Sequence, residues 1–137
     1  MTGEQPVSGL ADTSVFIAHE SGRELTPLPP RIAISVVTLG ELQLGVLASE
    51  SRAVRAHRAD TLALARRADP IPISEAVMVR WAELVDSCRR AGAGRGVKQN
   101  DLLIAATALE HGLPVLTQDE DFDALAGAHP ALDVIRV

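Results

Sequence analysis

The sequence has little of several residue types, and each shortage narrows what the protein can be. One of its 137 residues is cysteine, Cys88, so the chain forms no internal disulfide and no zinc site built from several thiolates. Only Phe16, Trp81 and Phe122 are aromatic, and the hydrophobic core must therefore be mainly aliphatic. Apolar residues still make up 47% of the chain, which argues against extensive disorder.

The sequence also lacks a hydrophobic run long enough to cross a membrane. Its longest uncharged stretch with a helical pattern, residues 102–109, is far shorter than the roughly 20 residues that a span requires. The first ten residues contain Thr2, Glu4 and Gln5, where a signal peptide would have a basic start and an apolar run. We therefore expect a soluble, cytoplasmic protein that has no membrane partner.

Basic residues are fewer than acidic ones. The chain has 13 Lys or Arg against 18 Asp or Glu, a formal net charge of −5, and Lys98 is its only lysine. This surplus argues against a protein that holds nucleic acid mainly through a general positive surface. It leaves open that several carboxylates converge at one site.

Short apolar segments alternate with longer helical patterns, and we predict one domain over residues 1–137. The predicted strands cover residues 7–11, 31–35, 70–73, 115–117 and 133–137. The predicted helices cover residues 13–19, 35–48, 51–67, 74–88 and 101–110, with a short helix before the last strand. Strands that alternate with helices in this way predict an α/β fold with a mostly parallel sheet.

Four acidic residues fall where open α/β sheets place ligand sites, at the carboxyl ends of strands and the adjacent helices. Asp12 and Asp119 follow predicted strands, and Asp101 begins a predicted helix. Glu41 lies in an otherwise apolar helix, where a partly buried carboxylate is costly unless it is paired or binds a cation. Such a cluster repels itself, so a hard divalent ion, Mg²⁺ or Mn²⁺, is its natural occupant.

Each acid also has an explanation without chemistry. Asp12 and Asp101 fit helix N-caps, each worth about 1 kcal/mol, and Asp119 fits an ordinary turn. The alternative interpretation, a metal site, requires the four carboxylates to lie close together in the folded protein. A metal site made by them would activate water and stabilise charge on a phosphodiester.

The segments around these acids resemble the PIN-domain ribonucleases, and most closely the VapC-type toxins of bacterial and archaeal toxin–antitoxin pairs. Four segments carry the resemblance: DTSVFIA from Asp12, SVVTLGEL from Ser35, NDLLIAATAL from Asn100 and VLTQDEDF from Val115. They occur in the family's order and cover the chain from about residue 10 to its end.

This resemblance implies a PIN-like α/β/α sandwich with a mostly parallel central sheet, and Mg²⁺-dependent endoribonuclease activity. It implies that four carboxylates bind the metal and carry catalysis: Asp12, Glu41, Asp101 and Asp119. Asp121 is a further candidate ligand, because some relatives use the acid just before the Phe. Thr13 and Thr117 match hydroxyl positions that support the carboxylates. The implied products have 5′-phosphate and 3′-hydroxyl ends.

The resemblance also implies partners. These are an RNA substrate and a cognate antitoxin that covers the acidic groove, with the chain forming a homodimer or a toxin–antitoxin hetero-oligomer. Two other interpretations stay open from the sequence. One is a PIN-like RNA-processing nuclease without a toxin role, and the other is a non-catalytic partner-binding module whose acids serve as helix caps.

Two groups of basic residues have competing interpretations. Residues 92–96, with Arg89, Arg90 and Lys98 nearby, are either a flexible connector or a mobile basic lip that contacts RNA phosphates beside Asp101. The arginines of the predicted helix over residues 51–67 form either a solvated face or a second basic face.

Overall fold

The protein is described here by a computed structural model that covers residues 6–93 and 96–137. Its strands are β1 (Ser8–Ala11), β2 (Arg31–Ala33), β3 (Val115–Thr117) and β4 (Val134–Arg136). Its helices are α1 (Thr13–Glu20), α2 (Val36–Leu47), α3 (Arg52–Arg66), α4 (Glu75–Arg90), α5 (Gln99–Glu110) and α6 (Asp121–Ala128). None of the helices in these ranges is long and apolar enough to span a bilayer.

The four strands form one parallel sheet in the order β2-β1-β3-β4. Side chains alternate across a sheet, so Leu10 and Val115 enter one hydrophobic layer, while the adjacent Ala11 and Leu116 enter the other. Helices α4, α5 and α6 supply the first layer, and α1, α2 and α3 supply the second. This arrangement confirms the predicted α/β/α sandwich.

Local side-chain chemistry explains where the helices begin and end. Ser35, Ser51 and Ser74 occupy the N-caps of α2, α3 and α4, and each accepts a hydrogen bond from a backbone N–H inside its helix. Gly112 follows the C-cap of α5 with a φ of 64°, a conformation that glycine adopts at little cost. The predicted helices therefore occur at nearly the predicted residues.

The predicted strand at residues 70–73 is wrong. Within the described ranges this segment makes only one isolated parallel bridge, between Ile71 and Ser35. Ile71 donates to the Ile34 carbonyl and accepts from the Val36 N–H, but the prolines on both sides of Ile71 have no N–H to extend the ladder. Ser35 also begins α2, which removes the extended partner.

Gly9 allows β1 and β3 to lie side by side. A Cβ atom at this position would lie 2.7 Å from Cγ of Leu116, a fully buried residue that has no room to move. We expect Gly9→Ala to lower the free energy of unfolding by about 1–3 kcal/mol, measured by urea denaturation.

Gly40→Ala is the matched control for this experiment. Gly40 lies within α2, and a Cβ there would meet no atom within 4 Å. This substitution is expected to raise the free energy of unfolding by about 0.5–1 kcal/mol, because alanine is the better helix former. Equal effects of the two substitutions would contradict the packing account.

Candidate active site

The carboxyl edge of the sheet brings the predicted acids together. Asp12 directly follows β1 and Asp119 lies two residues after β3, and these strands are hydrogen-bonded neighbours. Helix α2 carries Glu41, and the first turn of α5 carries Asp101. Carboxylate oxygens of Asp101, Asp119 and Asp121 all lie within 4.8 Å of one another. We call the five residues Asp12, Glu41, Asp101, Asp119 and Asp121 the acidic edge.

Asp12 is the most buried residue of the acidic edge, with 4% of its surface exposed. The Ser14 hydroxyl donates to its Oδ1 over 2.6 Å, and the Thr117 hydroxyl donates to its Oδ2 over 2.8 Å. Burial raises the pKa of Asp12, while these two hydrogen bonds act in the opposite direction. Asp12 occupies the N-cap position of α1, but its side chain makes no capping hydrogen bond. Both carboxylate oxygens accept from Ser14 or Thr117, so capping alone does not explain this residue.

Asp101 is the least satisfied residue of the acidic edge. It is the third residue of α5, whose N-cap is Lys98, so the capping explanation is wrong for Asp101. Its Oδ2 is buried and has no hydrogen-bond partner in the described part of the chain. Burial raises the pKa of Asp101 to about 6, and Lys98 acts in the opposite direction. Repulsion from three carboxylates adds to the rise: Asp119, Asp12 and Glu41.

Glu41 is half-buried and is held by a side chain from α1. The Thr13 hydroxyl donates to Glu41 Oε1 over 2.6 Å, which supports the position predicted for Thr13 beside the carboxylates. Thr13 Oγ1 also lies 3.2 Å from Oγ1 of Thr38, a fully buried residue. No role was predicted for Thr38, although it precedes Glu41 by three residues and so shares its helix face.

The Thr117 and Ser14 hydroxyls connect Asp12 to the end of β3. Thr117 Oγ1 accepts a 2.8 Å hydrogen bond from the Asp119 N–H and donates to Asp12. Ser14 Oγ accepts a 2.9 Å hydrogen bond from the Gln118 N–H and also donates to Asp12. The resemblance implied a supporting hydroxyl at Thr117, whereas no role was predicted for Ser14. The sequence signal for Ser14 is its place two residues after Asp12.

Asp119 and Asp121 both lie beside Asp101. The Asp121 N–H donates to Asp119 Oδ1 over 3.1 Å, so the turn between them is closed by the first carboxylate. The Asp121 side chain is 42% exposed, and its Oδ2 lies 3.8 Å from Nζ of Lys98. Both acids could therefore bind the same ion. The negative charge of Asp121 is also partly neutralised by Lys98.

The donor set of the acidic edge fits a hard divalent cation. All the candidate ligands are carboxylates, which Mg²⁺ and Mn²⁺ prefer over the sulfur ligands that softer ions take. Cys88 is buried in the core layer of α4, with no place among these acids. The unpartnered Oδ2 of Asp101 is an acceptor that a cation would satisfy. Asp12 and Glu41 lie outside the compact group formed by the other three acids.

Lys98 lies at the acidic edge, where it pairs with Asp121. Of the predicted basic lip, residues 94–95 lie outside the described residues. Arg89 and Arg90 both form ion pairs with Asp86, at 3.8 Å and 3.0 Å, on the exposed surface of α4. These two arginines are therefore engaged with their own helix.

Two arginines of α3 have a structural use. Arg58 donates to the Gly45 carbonyl over 2.7 Å and to the Ser49 hydroxyl over 3.1 Å. Arg55 donates to the Ser49 carbonyl over 3.1 Å. Both side chains therefore satisfy carbonyls at and beyond the end of α2, which accounts for them without a second basic face.

Thr117→Val tests whether the buried hydroxyl positions Asp12. Valine keeps the shape of threonine but leaves the Asp119 N–H and one Asp12 oxygen without a partner. We expect the free energy of unfolding to fall by about 1–3 kcal/mol, and the RNA cleavage that the PIN-domain resemblance implies to fall by about ten- to a hundredfold. Thr117→Ser keeps the hydroxyl and should retain most of the activity. A Thr117→Val protein with the unaltered cleavage rate would contradict this positioning role.

Comparison with known proteins gives consistent matches. The PIN domain family matches residues 10–128. Ribonuclease VapC8 of Mycobacterium tuberculosis is 60% identical over 108 residues, which are 79% of this chain and 96% of that protein. Ribonuclease VapC5 of the same organism is 46% identical over 134 residues, 96% of this chain and 97% of that protein.

A solved structure also matches at high similarity. A chain in the crystal structure of VapBC-5 from Mycobacterium tuberculosis, a member of the VapBC family of toxin–antitoxin systems, has a TM-score of 0.86 to this fold. It is 42% identical, and the match covers 96% of this chain and 100% of that chain.

Proposed function

Because the chain belongs to the PIN-domain family and is a VapC-family ribonuclease toxin of a VapBC toxin–antitoxin system, we propose that its acidic edge is where RNA is cleaved. The observation that carries this proposal is the buried, unpartnered Oδ2 of Asp101 beside carboxylates that raise its pKa. A group in this state is costly to the apo protein and is relieved by a cation. The proposed site lies within one PIN-like domain over residues 1–137.

The ligands proposed for the metal are the carboxylates of the acidic edge: Asp12, Glu41, Asp101 and Asp119, with Asp121 as a further ligand. Mg²⁺, or Mn²⁺ in its place, would polarise the scissile phosphate and lower the pKa of a bound water. The chain's own residues fix the ligand oxygens in advance. Ser14 and Thr117 orient Asp12, and Thr13 orients Glu41. We assign no separate general base, and we expect 5′-phosphate and 3′-hydroxyl products.

An antitoxin is the partner proposed for the surface beside Glu41. The two helices that border Glu41, α1 and α2, carry three exposed apolar side chains: Ile17, Leu44 and Leu47. Glu41 and Ile17 also line a cavity of about 220 Å³, together with Thr13 and Arg58. A partner that buries these apolar groups and places an arginine among the carboxylates would both bind tightly and block RNA. The chain would then act as a homodimer or within a toxin–antitoxin hetero-oligomer, in the cytoplasm where RNA is found.

Cleavage of RNA by the purified protein tests the proposed site. With Mg²⁺, the unaltered protein should cut RNA, and Asp101→Ala should lose the activity while staying folded. Asp60→Ala is the matched control, since Asp60 is an exposed acid of α3 and lies far from β1 and β3 in the chain. Equal cleavage by the Asp101→Ala protein would contradict the catalytic assignment.

Expression in cells distinguishes a toxin from an RNA-processing nuclease. Expression of the unaltered chain should halt growth, and co-expression of the neighbouring antitoxin gene should restore it. Asp101→Ala should not halt growth. Normal growth during expression of an active nuclease would favour the RNA-processing function.

A further inference from the structure

A polar cavity lies on the Asp119 side of the acidic edge. It encloses about 360 Å³, is widely open to solvent, and is lined by six residues: Ser14, Arg23, Gln118, Asp119, Glu120 and Arg136. Two of these residues, Ser14 and Asp119, also belong to the hydrogen-bond network of the acidic edge. We call this space the arginine cavity. It is continuous with the proposed cleavage site and contains two cationic side chains.

Arg23 is held in place by its backbone, and its side chain forms no ion pair with the described part of the chain. Helix α1 ends in a Schellman motif, in which the Arg23 N–H donates to the Ala18 carbonyl over 2.9 Å and the Gly22 N–H donates to the His19 carbonyl over 3.1 Å. Gly22 has a φ of 74°, which this motif requires. Across residues 6–93 and 96–137, no carboxylate lies within 4.0 Å of the Arg23 guanidinium.

Arg136 reaches the same cavity from the sheet. Its backbone is in register with Thr117, because β3 and β4 are paired at these residues. Its guanidinium donates to Asp123 Oδ2 over 2.8 Å, and a guanidinium with five N–H groups keeps donors for another ligand. The side chain of Gln118, which also lines the cavity, donates to the carbonyl of Val137, the residue after Arg136.

We propose that the arginine cavity binds a phosphate of the RNA strand next to the phosphate that is cut, with Arg23 as the main contact and Arg136 as the second. Guanidinium groups bind phosphate oxygens through paired, charge-assisted hydrogen bonds. Two carboxylates also line the cavity, Asp119 and Glu120, so the phosphate depends on both arginines to outweigh local repulsion. This inference rests on the proposed function and adds the side of the acidic edge on which the neighbouring phosphate is bound.

Binding of a single-stranded RNA oligonucleotide tests this contact. The Asp101→Asn protein serves as the background, because cleavage must be prevented while binding is measured. Adding Arg23→Gln should raise the Kd roughly tenfold and reduce the slope of log K against log salt by about 0.7, the value for one lost phosphate contact on a single strand. Arg31→Gln is the matched control, since Arg31 is exposed at the opposite end of the parallel sheet, and it should change neither quantity.

Neutralising single phosphates of the oligonucleotide locates the contact. A methylphosphonate, which has no charge, replaces one phosphate of the oligonucleotide at a time. The binding of each oligonucleotide is measured with the Asp101→Asn protein and with the same protein carrying Arg23→Gln. One position is expected to weaken binding roughly tenfold with Arg23 and to have no further effect with Arg23→Gln. Additive losses at every position, or equal behaviour of Arg23→Gln and Arg31→Gln, would overturn the inference. Cleavage by the unaltered protein is measured separately, so failure of this inference differs from failure of the proposed function, in which that protein cuts no RNA.

Discussion

Asp101→Asn is expected to lower the rate of RNA cleavage by at least about a hundredfold and, at the same time, to stabilise the metal-free protein. The activity is expected to fall because the substitution removes the charge of one proposed metal ligand, which lies within 4.8 Å of the carboxylate oxygens of Asp119 and Asp121. The stability rises because asparagine keeps the shape of aspartate without its buried charge. Few surface substitutions combine these two effects.

The sign of the stability change follows from the pKa of Asp101. In the folded protein this pKa is raised from 3.8 to about 6, so folding favours the protonated form. The carboxyl group therefore costs no stability at a pH below its unfolded value, and the cost grows as the pH rises through about 6. Allowing for partial exposure, we expect Asp101→Asn to add about 1–2 kcal/mol to the free energy of unfolding at neutral pH.

Urea denaturation at several pH values measures this effect. The difference between the unaltered protein and Asp101→Asn should be near zero at about pH 4 and reach its full size at about pH 7. Asp60→Asn is the matched control, since it removes the same charge from an exposed site on α3. An Asp101→Asn protein that is less stable than the unaltered one at neutral pH would contradict the account of a strained carboxylate.

Divalent metal is expected to control both activity and stability. EDTA should abolish cleavage, and excess Mg²⁺ should restore it. Saturating Mg²⁺ should also raise the free energy of unfolding, by about 2.7 kcal/mol at a hundred times the Kd, because the ion binds the folded chain only. The rise should be lost on acidification through about 6, where Asp101 becomes protonated and no longer binds a cation.

Thermal unfolding with and without Mg²⁺ measures this second prediction. The shift in Tm should be large at about pH 8, small at about pH 5, and small at both values for Asp101→Asn. The exposed Asp60→Asn protein should behave as the unaltered one does. Equal Tm shifts for all three proteins would mean that Mg²⁺ acts elsewhere on the surface.

The sheet and its acids were largely predictable from the sequence, because they depend on local pattern. Strands that alternate with helices predicted the parallel sheet, and the positions of Asp12 and Asp119 after strands predicted their meeting at one edge. The predicted family is confirmed by the PIN-domain match and by the VapC relatives. The strand at residues 70–73 was wrongly predicted from its apolar residues. The two prolines of this segment have no N–H to donate, and this prevents the segment from extending the sheet.

The supporting contacts were less predictable, because they form between elements that are distant in the chain. Ser14 meets Asp12 locally but also meets Gln118, over a hundred residues away, and only the packing of β1 on β3 brings them together. The hydroxyls of Thr38 and Thr13 meet only because α1 packs against α2. The burial of one oxygen of Asp101 likewise depends on how α5 packs, which no periodicity specifies.

The charge balance could likewise be interpreted in part from the sequence and in part only from tertiary contacts. Of the 18 acids, four were assigned to one site, which leaves 14 acids against 13 basic residues in the rest of the chain. The acidic surplus is therefore about the size of the proposed metal site and does not argue against RNA. Which arginines remain free to contact phosphate is decided by tertiary pairing: Arg58 is engaged with α2, while Arg23 is not engaged in an ion pair within the described ranges.

The central claim is that the acidic edge holds the metal ion at which RNA is cut. Its most direct test is an anomalous difference map from crystals grown with Mn²⁺ above about pH 7. We predict a peak bonded to carboxylate oxygens of Asp101 and Asp119 at about 2.1 Å, with Asp12 adjacent, and no such peak in crystals of Asp101→Asn. A peak elsewhere, with the oxygens of Asp101 unbound at saturating Mn²⁺, would contradict the account.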